Sequence, residues 1–423
     1  MKKQNIAELV KIGRDITHLR DIYRTPSERD NPDQKEIDFP ESLDIKLKRI
    51  GHLKYGENPN QLAAMYVIEM INNNNAALIA ELTNVRYVRD DQGGKGGLSL
   101  TNKMDITRGM DTLKFYIDIP AVVILKHNTV SAFARQTDNQ TMTQLFRSAR
   151  DADLESNFGG SVIFNKPLDM ETAKALYELK GINPFFVDVL AAPGYEEGVL
   201  GYVQGQSKNV RIAEFSALKR LPKFAGDETY GLLSFKALSN GEMGVQDIFL
   251  SSLRTVDDFA LHPYVIDKEG NTHIIQNVPT RAELEDLLTA WRINCTGARS
   301  NGVVFVKDGV TVAVGSGQVA RVYAVKDAIE KGMQKAMDRE AITYDKLMGI
   351  RGYKKLSENP FKGAVCASDG FFPFGDSLLL FRRVDVKVVC QPYGSERDMQ
   401  VIDAANKLYI AMPATLERCF GHF

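Results

Sequence analysis

Lys126 and His127 stand side by side directly after AVVIL (121–125), an apolar run of strand length with no polar alternation. Such a strand is covered on both faces, as in an α/β sheet. Ligands in open α/β sheets bind beyond the carboxyl ends of strands, which is where this pair falls. An ammonium beside an imidazole can hold an anion and move a proton near neutral pH. The competing reading is a solvated lysine next to a histidine bonded for structure, and the local pattern does not decide between them. FGG (158–160), APGY (192–195), GSGQ (315–318), FFPFGD (371–376) and PYGSERD (392–398) each set Gly or Pro beside polar residues at the end of an apolar run. Backbone N–H groups can approach a ligand at such places. GSGQ, ahead of a helical pattern, could take an anion through the helix dipole. Ser395 and Asp398 have the spacing of a capping box. Singly each segment reads as a turn; together they outline a cleft for a large ligand. GGKGG (93–97) completes neither phosphate-loop pattern, because Gly96 stands where Ser or Thr is needed, and reads as a flexible loop.

The elements that must carry these residues alternate between strand and helix from about residue 46 onward. SVIF (161–164), METAKALYELK (170–180) and FFVDVLAA (185–192) read as strand, helix, strand, the unit of an α/β layer architecture. Asp308-Gly309 divides VVFVKDGVTVAV (303–314) into a hairpin, because Gly supplies the positive φ of the turn. Residues 319–337 follow as a long helix, and KGAVCAS (362–368) and VKVVCQP (386–392) as two more strands. Two α/β lobes are expected, joined near residues 225–280, with no sequence period to prove them duplicates. The domains are then 1–45, 46–225 and 226–423. In the first, Ile6, Leu9, Val10, Ile16 and Leu19 predict an amphipathic helix interrupted by Gly13, followed by an extended linker over 24–42.

Composition bounds the rest. Lys plus Arg is 53 against 54 for Asp plus Glu, a balance that gives no support to a nucleic-acid or membrane-surface binder working by bulk charge. No apolar stretch approaches the roughly 20 residues of a membrane span, and the first residues form no signal-peptide core. A cytoplasmic enzyme is the default. Cys295, Cys366, Cys390 and Cys419 are scattered, without metal-binding or redox spacing, so no metal site is expected.

The ordered motifs LKYGENPNQ (53–61), GKGGLSLTNKMD (94–105), Lys126-His127, SNFGG (156–160), AAPGYEE (191–197), SN (300–301), GSGQVAR (315–321), SDGFFPFGD (368–376), QPYGS (391–395) and RCFGHF (418–423) resemble AICAR transformylase. That activity is the folate-dependent half of a bifunctional purine-biosynthesis enzyme. The resemblance implies two cytidine-deaminase-like three-layer lobes with an N-terminal helical extension. It implies formyl transfer from 10-formyltetrahydrofolate to the 5-amino group of AICAR, giving FAICAR, in a homodimer with active sites between subunits. The zinc-binding H-x-E and P-C-x-x-C of deaminases are absent, consistent with a reused scaffold. The leader is too short to encode the cyclohydrolase half, so a stand-alone transformylase is expected, with a separate IMP cyclohydrolase downstream.

By the same resemblance His127 is the general base, Lys126 its electrostatic partner or the donor to the folate leaving group, and Asn301 the residue that orients the amine or formyl oxygen. Lys54, Tyr55, Gly159, Asp188, Arg321, Phe371 and Arg418 fall where the family contacts AICAR. Val322, Asp376, Ser395 and Glu396 fall where it holds the folate, and members of the family can hold a structural potassium ion near the position of Asp369, which the sequence leaves open. Three departures stand out. Lys54 and Asn60 replace the Arg and His of R-Y-G-x-N-P-H-Q, which costs the bidentate fork on phosphate. NTVSAF (128–133) replaces a Pro- and Gly-containing turn, and Ala320 replaces a common Ser. Two rival readings remain: formyl transfer to a different amine, and a purine- or folate-binding paralogue without turnover.

Overall fold

The computed structural model describes residues 6–17, 42–53, 61, 63–71, 74–75, 83–88, 97–178, 185–340 and 358–422. In chain order the first elements are α1 (Ile6–Ile12), β1 (Arg14–Asp15), β2 (Ile45–His52), β3 (Ala64–Ile71), β4 (Asn74–Asn75), β5 (Arg86–Tyr87) and α2 (Leu100–Leu113). The first lobe continues through β6 (Ala121–Lys126), β7 (Thr129–Arg135), α3 (Met142–Ala152), α4 (Leu154–Asn157), β8 (Gly160–Phe164), α5 (Met170–Ala175), β9 (Val187–Ala192), α6 (Val199–Gln206) and β10 (Arg211–Glu214). Two hairpins follow, β11 (Leu233–Ala237) with β12 (Met243–Asp247), and β13 (Pro263–Ile266) with β14 (Thr272–Ile274). The second lobe holds α7 (Arg281–Gly297), β15 (Val303–Lys307), β16 (Val310–Gly315), α8 (Arg321–Glu340), β17 (Val365–Ser368), α9 (Asp376–Arg383), β18 (Val388–Cys390) and α10 (Asp398–Lys407).

Ten strands form one sheet in the order β18-β17-β15-β16-β7-β6-β8-β9-β10-β5. The lobes meet where β16 pairs antiparallel with β7 through Val310 and Ala134. Outward from that seam, β7-β6-β8-β9 and β16-β15-β17-β18 repeat the same sequence of antiparallel, antiparallel and parallel pairings. The lobes therefore share a topology that no residue period announces, because what repeats is the order of buried strands and not their residues.

Alternation along β6 explains the three layers. Ala121, Val123 and Leu125 join the cluster under α2 and α7, which together cover one sheet face across both lobes. Val122 and Ile124 face the other way, into a separate cluster under α3, α5 and α6. The second lobe packs Val303, Phe305 and Cys366 against α8, α9 and α10. Ser99, Thr141 and Thr280 start α2, α3 and α7 with reciprocal capping boxes, which give the N-cap and N3 N–H groups of each helix a local partner.

Several expectations need correction. The stripe from Ile6 is helical only to Ile12, since a Cβ on Gly13 would lie 2.6 Å from the His262 carbonyl where the chain turns to pair β1 with β13. Leu19 and most of the proposed linker lie outside the described residues. The helix expected over 170–180 ends at Ala175. NTVSAF is not a differently shaped loop: Thr129 to Phe133 belong to β7. Ser395 is not an N-cap, because α10 begins at Asp398, whose Oδ2 instead accepts the N–H groups of Gly394 and Ser395 at 2.7 and 3.0 Å.

Candidate functional site

Strand directions place most of the expected site residues on one edge of the ten-stranded sheet. β6, β16, β17 and β18 end there, and β7, β8, β9, β10 and β15 begin there. Lys126 ends β6 and His127 follows it, Gly159 precedes β8, Asp188 stands second in β9 and Asn301 precedes β15. Arg321 follows β16, Phe371 follows β17, and Ser395 and Glu396 follow β18. The β6–β7 turn and Asn301 are two to three strand spacings apart, roughly 10–14 Å at ordinary sheet geometry.

His127 and Asn128 form the two-residue turn between β6 and β7, with φ of 56° and 58°. His127 is exposed and Asn128 is buried. The turn is braced from α2: Asp105 Oδ1 accepts the Asn128 N–H at 2.7 Å, and Arg108 Nε donates to Asn128 Oδ1 at 3.3 Å. Asp105 Oδ2 accepts from the Ser161 hydroxyl at 2.7 Å. Burial pushes the Asp105 carboxyl up, against the opposing pull of Ser161, the Asn128 N–H and His127. Lys126 Nζ donates to the Phe158 carbonyl at 2.9 Å, which ties the turn to the segment before β8.

Gly159 lies in that segment with φ +73°, and its N–H donates to the Phe186 carbonyl at 2.7 Å. Asp188 is half-buried on β9, where Arg211 Nη1 donates to Oδ1 at 2.6 Å and Asn102 Nδ2 to Oδ2 at 3.2 Å. Arg211 also reaches the Gly97 carbonyl at 3.1 Å, so Asp188 is held between α2 and the start of β10.

Across the seam, Asn301 Nδ2 donates to the Gln318 carbonyl at 2.7 Å, which leaves its Oδ1 turned away as an acceptor. Arg321 is buried at the first turn of α8. Its Nη1 binds Asp369 Oδ1 and, at 2.9 Å, Ser368 Oγ, while Nε donates to the Phe371 carbonyl at 3.1 Å. It therefore shapes the 368–371 loop from within. Asp369 Oδ2 accepts from Ser300 Oγ at 2.9 Å, so both carboxylate oxygens have protein partners.

The terminal segment lies along the same edge. Cys419 N–H donates to the Asp369 carbonyl at 3.0 Å, and Gly421 exchanges hydrogen bonds with Ser300 at 3.0 and 3.1 Å. Glu417 accepts from Ser252 N–H at 2.8 Å and from Trp291 Nε1 at 3.3 Å. Arg418, between these anchors, is exposed, with its guanidinium 4.9 Å from the Phe420 ring centre. Asp376 is exposed at the start of α9, Val322 is half-buried on α8, and Arg397 stacks 4.4 Å from the Phe374 ring centre to join the 371–376 and 392–398 loops.

Lys54 and Tyr55 lie outside the described residues. Arg211 carried no sequence signal, and Asp105, Phe374 and Arg397 fell within quoted motifs without individual roles, since only tertiary contact gives all four their partners. Among the described residues no group of three His, Cys, Asp or Glu is placed to hold a metal ion, and no helix is long and apolar enough to cross a membrane.

Residues 27–331 match the family model described as AICARFT/IMPCHase bienzyme. The bifunctional purine biosynthesis protein PurH of Persephonella marina is 31% identical over 384 residues, covering 91% of this chain and 62% of that protein. PurH of Chlorobium phaeobacteroides strain BS1 is 33% identical over 382 residues, covering 90% and 60%. The chain thus spans about three fifths of the length of these curated relatives. With well over half of the chain inside the matched segment, the chain belongs to the AICARFT/IMPCHase bienzyme family.

Proposed function

We propose that this chain transfers the formyl group of 10-formyltetrahydrofolate to the 5-amino group of AICAR in purine (IMP) biosynthesis, in the cytoplasm. The observation that carries the reading is one sheet edge bearing an exposed imidazole on a braced turn, an ammonium beside it, and the exposed Arg418 on an anchored tail. The arginine suits the phosphate of a ribotide.

The acceptor amine is a poor nucleophile, because its lone pair is delocalised into the imidazole and carboxamide. As its nitrogen attacks the formyl carbon, His127 takes the proton that leaves it. Lys126 stabilises the developing oxyanion. Asn301, with its Nδ2 held by Gln318, offers Oδ1 to the amine. The bond from carbon to the folate nitrogen then breaks, and that nitrogen regains a proton as tetrahydrofolate leaves. Gly159 and Asp188 contact the ribotide from the first lobe, and Arg321 and Phe371 from the second. Val322, Asp376, Ser395 and Glu396 serve the folate.

A homodimer is part of the proposal. Leu47, Ile50 and Tyr66 on the β2–β3 arm, and Leu238, Met243 and Phe249 around the β11–β12 hairpin, expose apolar side chains that a second copy would cover. The test is an assay with AICAR and 10-formyltetrahydrofolate that follows tetrahydrofolate release. Formylated product is expected. Ligand binding with no product at high enzyme concentration would overturn the reading.

A further inference from the structure

We propose that Asp105 is a positioning residue, whose buried carboxylate fixes the left-handed His127–Asn128 turn and so aims the imidazole along the sheet edge. The proposal rests on the functional reading above for its catalytic consequence, though not for its structural claim.

A two-residue hairpin turn with φ above zero at both positions favours Asn-Gly or Asp-Gly, since L side chains in that region cost about 1–2 kcal/mol each. The second lobe follows this preference. Asp308 and Gly309, with φ of 51° and 76°, join β15 to β16. The first lobe puts His127 and Asn128 at the matching places, without a glycine, so its turn needs support from outside.

Both turns are supported from the same helix position. Ser99 begins α2 and Thr280 begins α7, and the sixth residue of each helix is an aspartate. Asp286 Oδ1 accepts the Gly309 N–H at 2.9 Å, as Asp105 Oδ1 accepts the Asn128 N–H at 2.7 Å. Ser99, Asp105, Lys126, His127 and Asn128 thus map in register onto Thr280, Asp286, Lys307, Asp308 and Gly309. The two turns point to opposite edges of the sheet, because β7 and β16 are antiparallel. Only the first lies on the candidate site. Asp286 also accepts from Arg135 Nη2 at 3.0 Å, whereas the partner of Asp105's other oxygen is the neutral Ser161. The ionisable groups that interact with Asp105 are His127 at the turn, Asp188 on β9 and Arg108 on its own helix.

This matched pair supplies the control. Asp105→Ala is expected to lower kcat about 100-fold, the scale of a small misplacement of a reacting group, with KM for AICAR within about threefold of wild type. Asp105→Asn keeps an oxygen for the Asn128 N–H and should recover most of that loss. Asp286→Asn, at the opposite edge, should leave kcat within about twofold, since misplacing that turn moves no reacting group. Wild-type kcat in Asp105→Ala would overturn the proposal. So would an Asp105→Asn enzyme no better than Asp105→Ala, which would assign the effect to charge.

Amide hydrogen exchange at Asn128 reads the structural claim without turnover. Protection is expected to be lost in Asp105→Ala and kept in Asp286→Asn, and retained protection in Asp105→Ala would overturn it. If the wild-type protein shows this pattern of protection yet does not formylate AICAR, the functional reading falls and the assignment of Asp105 as the brace of the turn stands. Should Asp105→Ala fail to fold, Ser161→Ala removes the other contact of the same carboxylate. A partial loss of kcat is then expected, and wild-type kcat overturns the proposal.

Discussion

His127 and Asp308 hold the same place in two copies of one hairpin, each the first residue of a two-residue turn and each with φ near 50°. Asp308 is followed by a glycine and His127 is not. The first lobe's turn therefore holds two side chains at positive φ where the second lobe's holds one, and the first of the two belongs to the residue proposed above as the base.

Replacing His127 separates these two roles. His127→Ala is expected to lose turnover by about 10²–10⁴-fold, the usual contribution of a general base, while still binding AICAR in calorimetry. His127→Gly should be equally inactive yet melt higher than His127→Ala, because glycine accepts positive φ without steric cost. Near-normal turnover in either variant would end the assignment.

Gly159 is the second conformational constraint. A Cβ there would lie 3.3 Å from the Phe186 ring at φ +73°, so Gly159→Val must displace that ring and strain the backbone. A loss of about 1–3 kcal/mol in denaturant unfolding is expected. KM should rise as well, because the neighbouring Phe158 carbonyl that accepts from Lys126 moves with it. An unchanged KM would show that this loop does not face the ligand.

What could be read from the chain beforehand follows a physical divide. AVVIL, the Asp308-Gly309 hairpin and the strand–helix–strand order over 161–192 are local signals, and they appear as β6, the β15–β16 turn and β8-α5-β9. The β6–β7 turn was missed because His-Asn lacks the glycine that announces such a turn, even though the alternation in TVSAF continues as a strand. Asp105 closes the motif GKGGLSLTNKMD, yet nothing local gives its carboxylate a partner. It is one polar residue on a capped helix until the fold brings β7 and β8 against it. Arg321 was singled out by motif, but its burial and its three partners were not legible, since they come from β17 and the loop after it.

Arg321 and Asp369 form a buried ion pair that also orders the terminal segment through the Asp369 carbonyl and Cys419. Arg321→Met leaves the Asp369 carboxylate buried without its cation, and a loss of about 3–5 kcal/mol is expected. Adding Asp369→Leu should restore part of it, because the uncompensated charge is then gone. If the double variant is no more stable than Arg321→Met, the pair is not what holds this loop.

The docking of the β13–β14 hairpin on α10 should depend on pH through His273. Its Nδ1 lies 2.9 Å from Asp403 Oδ1 on α10, and its Nε2 lies 3.4 Å from Asp267 Oδ2 just after β13. Burial alone would push this imidazole down, but the hydrogen bonds and charges of Asp403 and Asp267 outweigh it and hold it above the ordinary histidine value. A group held up in the folded state favours folding in its protonated form. Its contribution is therefore complete below about pH 6.5, the unfolded value, and disappears as pH rises through the higher folded value. Hydrogen exchange in the Tyr264–Ile274 hairpin should accordingly quicken across that window, beyond the intrinsic pH dependence of exchange. In His273→Gln the extra dependence should vanish, because glutamine keeps a donor but carries no titrating charge. An identical pH profile in wild type and variant would show that the imidazole does not govern this contact.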